Sequence, residues 1–313
     1  MTSAAMNLTP VSTLREEVQR RLTRLNDARL RPRTAPALTL QQELELRETE
    51  LSFLEAERAP IAAQAATAPS EAEAFGAWFE ELRENGPGQN DPLFPWLANE
   101  ASLEDVAWFL AQEVAGEAGF DDLVALTQLR MPVRPKLEMA RNYWDEMGRG
   151  REAGMHGPML DRLAADLRVR ERNHAIVWES TALGNLLIGL AANRHYAYHA
   201  VGALGVVELT APGRAALVNQ ALQRLNVPAA TRRYYALHAT LDIKHSQAWN
   251  AEVIAPLVAA DGTLARAIAE GALMRLNAGA RCFERYREKL AEASAVAGVG
   301  KPRKPSSSDS DSL

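Results

Sequence analysis

The chain has 313 residues, 47% hydrophobic and 24% charged, with a formal net charge of −5. That composition supports a packed core and lacks the basic excess of a phosphate-tracking surface, so nucleic acid is excluded as a partner. A single cysteine, Cys282, excludes an internal disulfide and any cysteine-rich zinc or iron–sulfur site.

Nothing in the sequence approaches the run of about eighteen apolar residues that a membrane helix needs. The opening MTSAAMNLTPVSTLREEVQRR lacks an apolar signal core and carries Glu16 and Glu17, which argues against a signal or transit peptide. With one lone thiol, the expectation is a soluble, cytoplasmic protein that engages no membrane.

In chain order, residues 11–30 set Leu14, Val18, Leu22 and Leu25 on one helical face, followed by a break at RPRTAP (31–36). Residues 1–36 are therefore an amphipathic and flexible N-terminal segment, with a packing or dimer-edge role for its helix. A homodimer is one open arrangement. Residues 37–99 read as a helical extension packed on the core, 100–296 as the main domain and 297–313 as a disordered tail. From Lys301 the tail, KPRKPSSSDSDSL, has too little apolar surface to offset the entropy of ordering. Helices are predicted over 39–57, 69–84, 102–117, 135–147, 155–168, 174–203, 211–225, 228–247 and 262–292. Caps stand at Ser102, Pro212-Gly213 and Asp261-Gly262, and turn-rich connections at 85–92 and 225–230. Strand patterning is almost absent, and short connections between apolar-striped helices predict a compact all-α bundle.

The segment YYALHATLDIKHSQAW (234–249) spaces His238, Asp242 and His245 by four and then three. At about 100° per residue, Asp242 lies about 40° from His238, and His245 about 20° to the other side, so one narrow face presents all three. Leu237, Leu241 and Trp249 flank that face and imply burial. Two buried imidazoles and a carboxylate are costly to satisfy without a metal. The bland alternatives are a solvated polar stripe and a histidine pair bonded through the aspartate.

Three other segments add donors. Glu113 projects on or beside the apolar stripe of Val106, Phe109 and Leu110, with Glu117, one turn on, as the alternative. Glu146 closes one predicted helix, and His156 opens the next after a glycine-containing turn. Glu208 follows the small and apolar run Val201–Val207, where an isolated carboxylate is expensive unless paired or metal-bound. Glu113, Glu146, His156, Glu208, His238, Asp242 and His245 thus offer carboxylates and imidazoles with no sulfur. Such mixed ligation suits a pair of iron ions, with manganese as the other candidate.

On these motifs, over residues 100–290, the chain resembles the heme-oxygenase-like diiron oxidases and oxygenases, the iron-containing redox enzymes. His238-x3-Asp242-x2-His245 is similar to the motif on that family's last core helix. Glu208 looks like its mid-chain glutamate, Glu146 and His156 like its glutamate-then-histidine segment, and Glu113 like its first-helix glutamate. Glu152, four residues before His156, is the alternative to Glu146. The resemblance implies a heme-oxygenase-like seven-helix bundle with an N-terminal helical extension and a diiron domain over 100–296. It also implies two Fe(II) ions, O2 as cosubstrate and a peroxo-diferric intermediate. The substrate would be a small organic molecule: an amine, amino acid or fatty acid. The competing readings are a metal-free helical binding or scaffold protein and a cofactorless oxidase of the same fold.

Several residues are set aside. His195 and His199 read as packing groups, because Glu208 lies about 180° around a straight helix from His199. His174 reads as a solvated helix start, and Lys244 as a surface partner pointing away from His245. Tyr143, Trp144, Tyr234 and Tyr235 read as core or pocket wall. Cys282, in an arginine-rich helix with no histidine nearby in sequence, is not expected to be a catalytic thiol.

Overall fold

The computed structural model describes residues 11–171 and 175–299, so the expectations for His174 and for the tail from Lys301 lie outside the described residues. Helices α1 (Val11–Leu30), α2 (Leu40–Arg58), α3 (Ala62–Ala65), α4 (Ala72–Asn85) and α5 (Leu93–Asn99) precede the segment that carries most of the candidate donors. Capping chemistry marks the starts: Thr39 and Gln42 form a capping box on α2, and Glu71 accepts from two amides at the start of α4. On α1, Leu22 and Leu25 are buried while Leu14 is exposed, so only part of the predicted face is covered. This helix packs against α10 (Trp178–Ala192), where Asn26 donates to Asn185 at 2.7 Å.

The main bundle adds α6 (Leu103–Gly116), α7 (Phe120–Thr127), α8 (Val133–Glu146), α9 (His156–Asp166), α11 (Ala197–Arg224), α12 (Arg233–Trp249), α13 (Ala255–Ala260) and α14 (Leu264–Val299). No strand occurs among the described residues. The central helix is α11, which packs on α12, α14, α5 and α10. Its crossing with α14 is very close and is set by two glycines. A Cβ on Gly202 would fall 1.8 Å from the Ile268 carbonyl oxygen, and one on Gly271 would fall 1.8 Å from that of His199. Trp249 clamps α12 to the same helix by donating its indole N–H to Val201 O at 3.1 Å.

Three boundary expectations are corrected. The break expected after residue 203 lies at Asn193–Tyr196, and one helix then runs unbroken from Ala197 to Arg224. Pro212 is therefore inside α11, not at a cap. Its missing N–H withdraws the usual helical partner from the Glu208 carbonyl, at a cost of about 3 kcal/mol in an isolated helix. Packing of α11 on both α12 and α14 overrides that local signal. Helices α5 and α7 were not anticipated, being too short to display a helical period, and α12 begins at Arg233 instead of 228. After Trp249 the chain makes a π-helical turn over Asn250–Ile254.

The span Arg194–Arg224 is long and apolar enough to cross a membrane by length and composition, and 61% of its apolar window is buried inside the bundle. That face packs against neighbouring helices.

Candidate metal centre

Four helices converge their polar side chains at one point in the bundle. Glu146 is the last residue of α8 and His156 the first of α9, and the ten-residue separation between them closes through a pinched loop. Met147 and Met155 form an isolated antiparallel bridge at its neck. Gly148 makes the neck possible: its φ is +61°, and a Cβ there would lie 2.3 Å from the Gly154 carbonyl carbon. The loop thereby brings Glu146 Oε2 to 2.6 Å from His156 Nδ1, with both side chains buried. Glu152, the alternative to Glu146, is exposed.

From α12, His238 stacks edge-on to His156 with ring centres 4.7 Å apart. Its Nδ1 lies 2.8 Å from the Tyr234 carbonyl, which accepts that N–H and leaves the Nε2 lone pair free. Two turns on, His245 is held the other way round. Its Nε2 is 3.2 Å from Asp145 Oδ2, while Nδ1 faces Glu208 Oε2 at 3.5 Å and Asp242 Oδ1 at 3.8 Å. Glu208 descends from α11 into the same space, and Asn142, one helical turn before Glu146, donates to its Oε1 at 2.6 Å. All the sequence-derived candidates therefore meet here except Glu113.

Glu113 lines the adjoining cavity, where its charged neighbours are Arg214 and Arg275, whereas the neighbours of Glu117 include Glu146 and Tyr234. Periodicity could not separate these two glutamates because they share one helical face. Sequence reasoning did not single out Asn142 or a holding role for Asp145. The available signal was the four-residue spacing of Asn142 ahead of Glu146 and the adjacency of Asp145 to it.

Carboxylate outnumbers neutralising charge here. Burial, then the neighbouring Glu208, pushes the Glu146 carboxyl well above its ordinary range; burial, then Glu208 and Glu146, does the same to Asp242. Glu117 is pushed up to about 8, chiefly by burial and then by Glu146. His156 and His238 are pulled down to about 4, by burial first and then by neighbouring imidazoles. His245 is the exception: burial opposes its charge, but its contact with Glu208 and the surrounding carboxylates outweigh that, raising it to about 9.

A metal fits what these residues lack. His156 Nδ1, Asp242 Oδ1 and His245 Nδ1 are buried without a hydrogen-bond partner. The 2.6 Å approach of Glu146 to His156 is also not aligned as a hydrogen bond. Two donor groups, Glu146/His156/His238 and Glu146/Glu208/His245, each bring their ligand atoms within 4.8 Å of one another. Imidazoles and carboxylates packed this closely suit a hard or borderline divalent ion.

The residues set aside behave differently. His199 bonds Glu270 on α14 and does not reach the cluster. His195 and Lys244 are exposed. Tyr234 and Tyr235 line the cavity as expected, whereas Trp144 is 54% exposed and is not among the residues lining that cavity. Cys282 is buried, and burial pushes its thiol up to about 12, so it has little thiolate character.

A model of a family described as iron-containing redox enzymes matches residues 107–280, more than half of the chain and every candidate donor on it. The all-α bundle agrees with the heme-oxygenase-like fold expected from the motifs. No curated protein matches the chain.

Proposed function

Because this chain belongs to the family of iron-containing redox enzymes and is an iron-dependent oxidoreductase, we propose that its cluster holds two ferrous ions and oxidises a small organic substrate with O2. The observation that carries this reading is that Glu146 belongs to both donor groups. In this reading His156 and His238 complete one site. His245, Glu208 and Asp242 complete the other. Glu117, the residue that caps the C-terminus of α6, would be the further ligand in place of Glu113.

When bound, the iron pair supplies the electrons that activate O2. The chain's own contribution is positioning and proton control. Tyr234 O fixes the His238 tautomer with Nε2 free, and Asp145 fixes that of His245 with Nδ1 free. Asn142 holds Glu208 by one oxygen and leaves the other available. His156 and His238, titrating at about 4, are neutral near pH 7 and can ligate without first losing a proton, whereas His245 must release one. The Tyr234 hydroxyl donates to Glu117 at 3.4 Å and turns that carboxylate toward the cavity. Leu160 and Val218 supply an apolar stretch of the cavity wall.

Anaerobic titration with ferrous ion tests the reading. The expected stoichiometry is two per chain, with an absorbance change on adding O2. His156→Ala or His238→Ala should retain one ion at most. A wild-type endpoint of one ion would overturn the two-site assignment.

A further inference from the structure

The cavity that meets the cluster along Glu146, His238 and Asp242 measures about 130 Å³ and has a second charged end. There Arg214 from α11 and Arg275 from α14 face the space together with Glu113 from α6. Arg214 is oriented but not neutralised: its Nη2 donates to Thr210 Oγ1 at 3.0 Å, and its guanidinium lies 5.9 and 5.6 Å from the ring centres of Phe94 and Phe283. Arg275 has a buried Nε with no hydrogen-bond partner. Among the described residues no carboxylate comes within ion-pair distance of either guanidinium. Glu113 and, further along the cavity, Glu117 lie near these two guanidiniums without pairing with them, so both keep donor positions unfilled in a site shielded from water, an arrangement that is costly unless an acceptor group completes it.

We propose that Arg214 and Arg275 bind the carboxylate of an anionic substrate whose remainder extends along the cavity toward the donor cluster. The inference rests on the function proposed above only for what stands at the cluster end. Glu208 and Arg214 are six residues apart on α11, about 9 Å along its axis, so one short chain can touch both ends. An ammonium at the arginine end would be repelled and could accept no hydrogen bond, and an alcohol would fill fewer of the donor positions than a carboxylate. A carboxylate, with two acceptor oxygens, matches the paired guanidinium donors. Burial pulls Arg214 down to about 10, which still leaves it protonated near neutral pH. Phe94 and Arg214 also line a surface pocket of about 550 Å³, so the guanidinium stands where an anion would pass from solvent into the cavity.

Calorimetry with hexanoate, hexylamine and hexanol, on the full chain with and without anaerobically loaded ferrous ion, tests this. Hexanoate should bind both forms, and the amine and alcohol at least about tenfold more weakly. Arg275→Met should weaken hexanoate binding at least about tenfold, Arg275→Lys should restore part of it, and Glu113→Gln should tighten it by removing the competing carboxylate. Iron stoichiometry should be unchanged in all three variants. Unchanged hexanoate binding in Arg275→Met overturns the proposal, as does equal binding of the amine. If Arg275→Met does not fold, as judged by circular dichroism, the absence of tightening in Glu113→Gln overturns it instead. Carboxylate preference that survives in a chain unable to load iron sinks the two-iron reading and leaves this site standing.

Discussion

Helix α11 carries two buried acid–base clusters, one near its start and one at its middle, and they are built on opposite principles. At the first, His199 Nε2 lies 3.0 Å from Glu270 Oε2, and Glu270 also takes Arg266 at 3.0 Å and Arg58 at 3.5 Å. Burial works against the Glu270 charge, but Arg266 and His199 outweigh it and hold the carboxyl below its usual range. At the second, Glu146, Glu208 and Asp242 have no guanidinium or ammonium within ion-pair distance among the described residues, and the Glu146 and Asp242 carboxyls are driven upward. A buried carboxylate that brings its own cations is a structural clasp. One that gathers further carboxylates with no guanidinium beside them suits a cation from outside.

The sharpest way to break that contrast is to remove one donor from each cluster. His238→Ala or His245→Ala should lower iron-dependent turnover by more than about a hundredfold, the upper range for losing even an outer-shell partner, with the helical circular dichroism signal retained. Full turnover with two irons bound would show that the α12 motif has been misread. Glu270→Ala should do the reverse: leave iron stoichiometry intact and destabilise the fold by roughly 1–3 kcal/mol with or without metal. This figure is discounted because Arg58 and Arg266 reach solvent. Calorimetric melts of both forms distinguish the two clusters.

A smaller effect carries an informative sign. Glu208→Gln should raise the melting temperature of metal-free protein by relieving like-charge repulsion and lower that of iron-loaded protein by removing a charged ligand. Equal shifts in both forms would mean that Glu208 does not feel a metal. The mildest test is pH alone. In metal-free protein, the raised carboxyls contribute stability that is lost as pH rises through their folded values, which is about 8 for Glu117. His245 loses its contribution through about 9. Metal-free protein should therefore melt lower at pH 9 than at pH 7, by a few degrees for a change on the order of 1 kcal/mol. The stabilisation conferred by iron should grow over the same interval, because bound ligands no longer need protons.

How much of this was legible in the sequence follows from the range of each signal. His238, Asp242 and His245 were readable because one helix fixes their relative angles, and their face did turn inward. Glu208 was readable from the apolar residues preceding it. The different surroundings of Glu113 and Glu117 were not, since they depend on arginines from α11 and α14 that no local pattern links to α6. The continuity of α11 was hidden for a related reason. Pro212 is a correct local signal for a helix end, and only the neighbours on both sides of the helix overrule it. Arg275 gave no sign in the sequence, sitting in an otherwise ordinary stretch of α14.

The neck between Met147 and Met155 has a consequence for how such centres diversify. Once Gly148 lets the two strands of the loop touch, the geometry of Glu146 against His156 no longer depends on how many residues lie beyond the pinch. Residues 149–153 form an appendage that can lengthen, shorten or change composition while the donors stay in place. The interval between two ligands along a chain is then an elastic coordinate, and the fixed one is the backbone conformation of a single glycine.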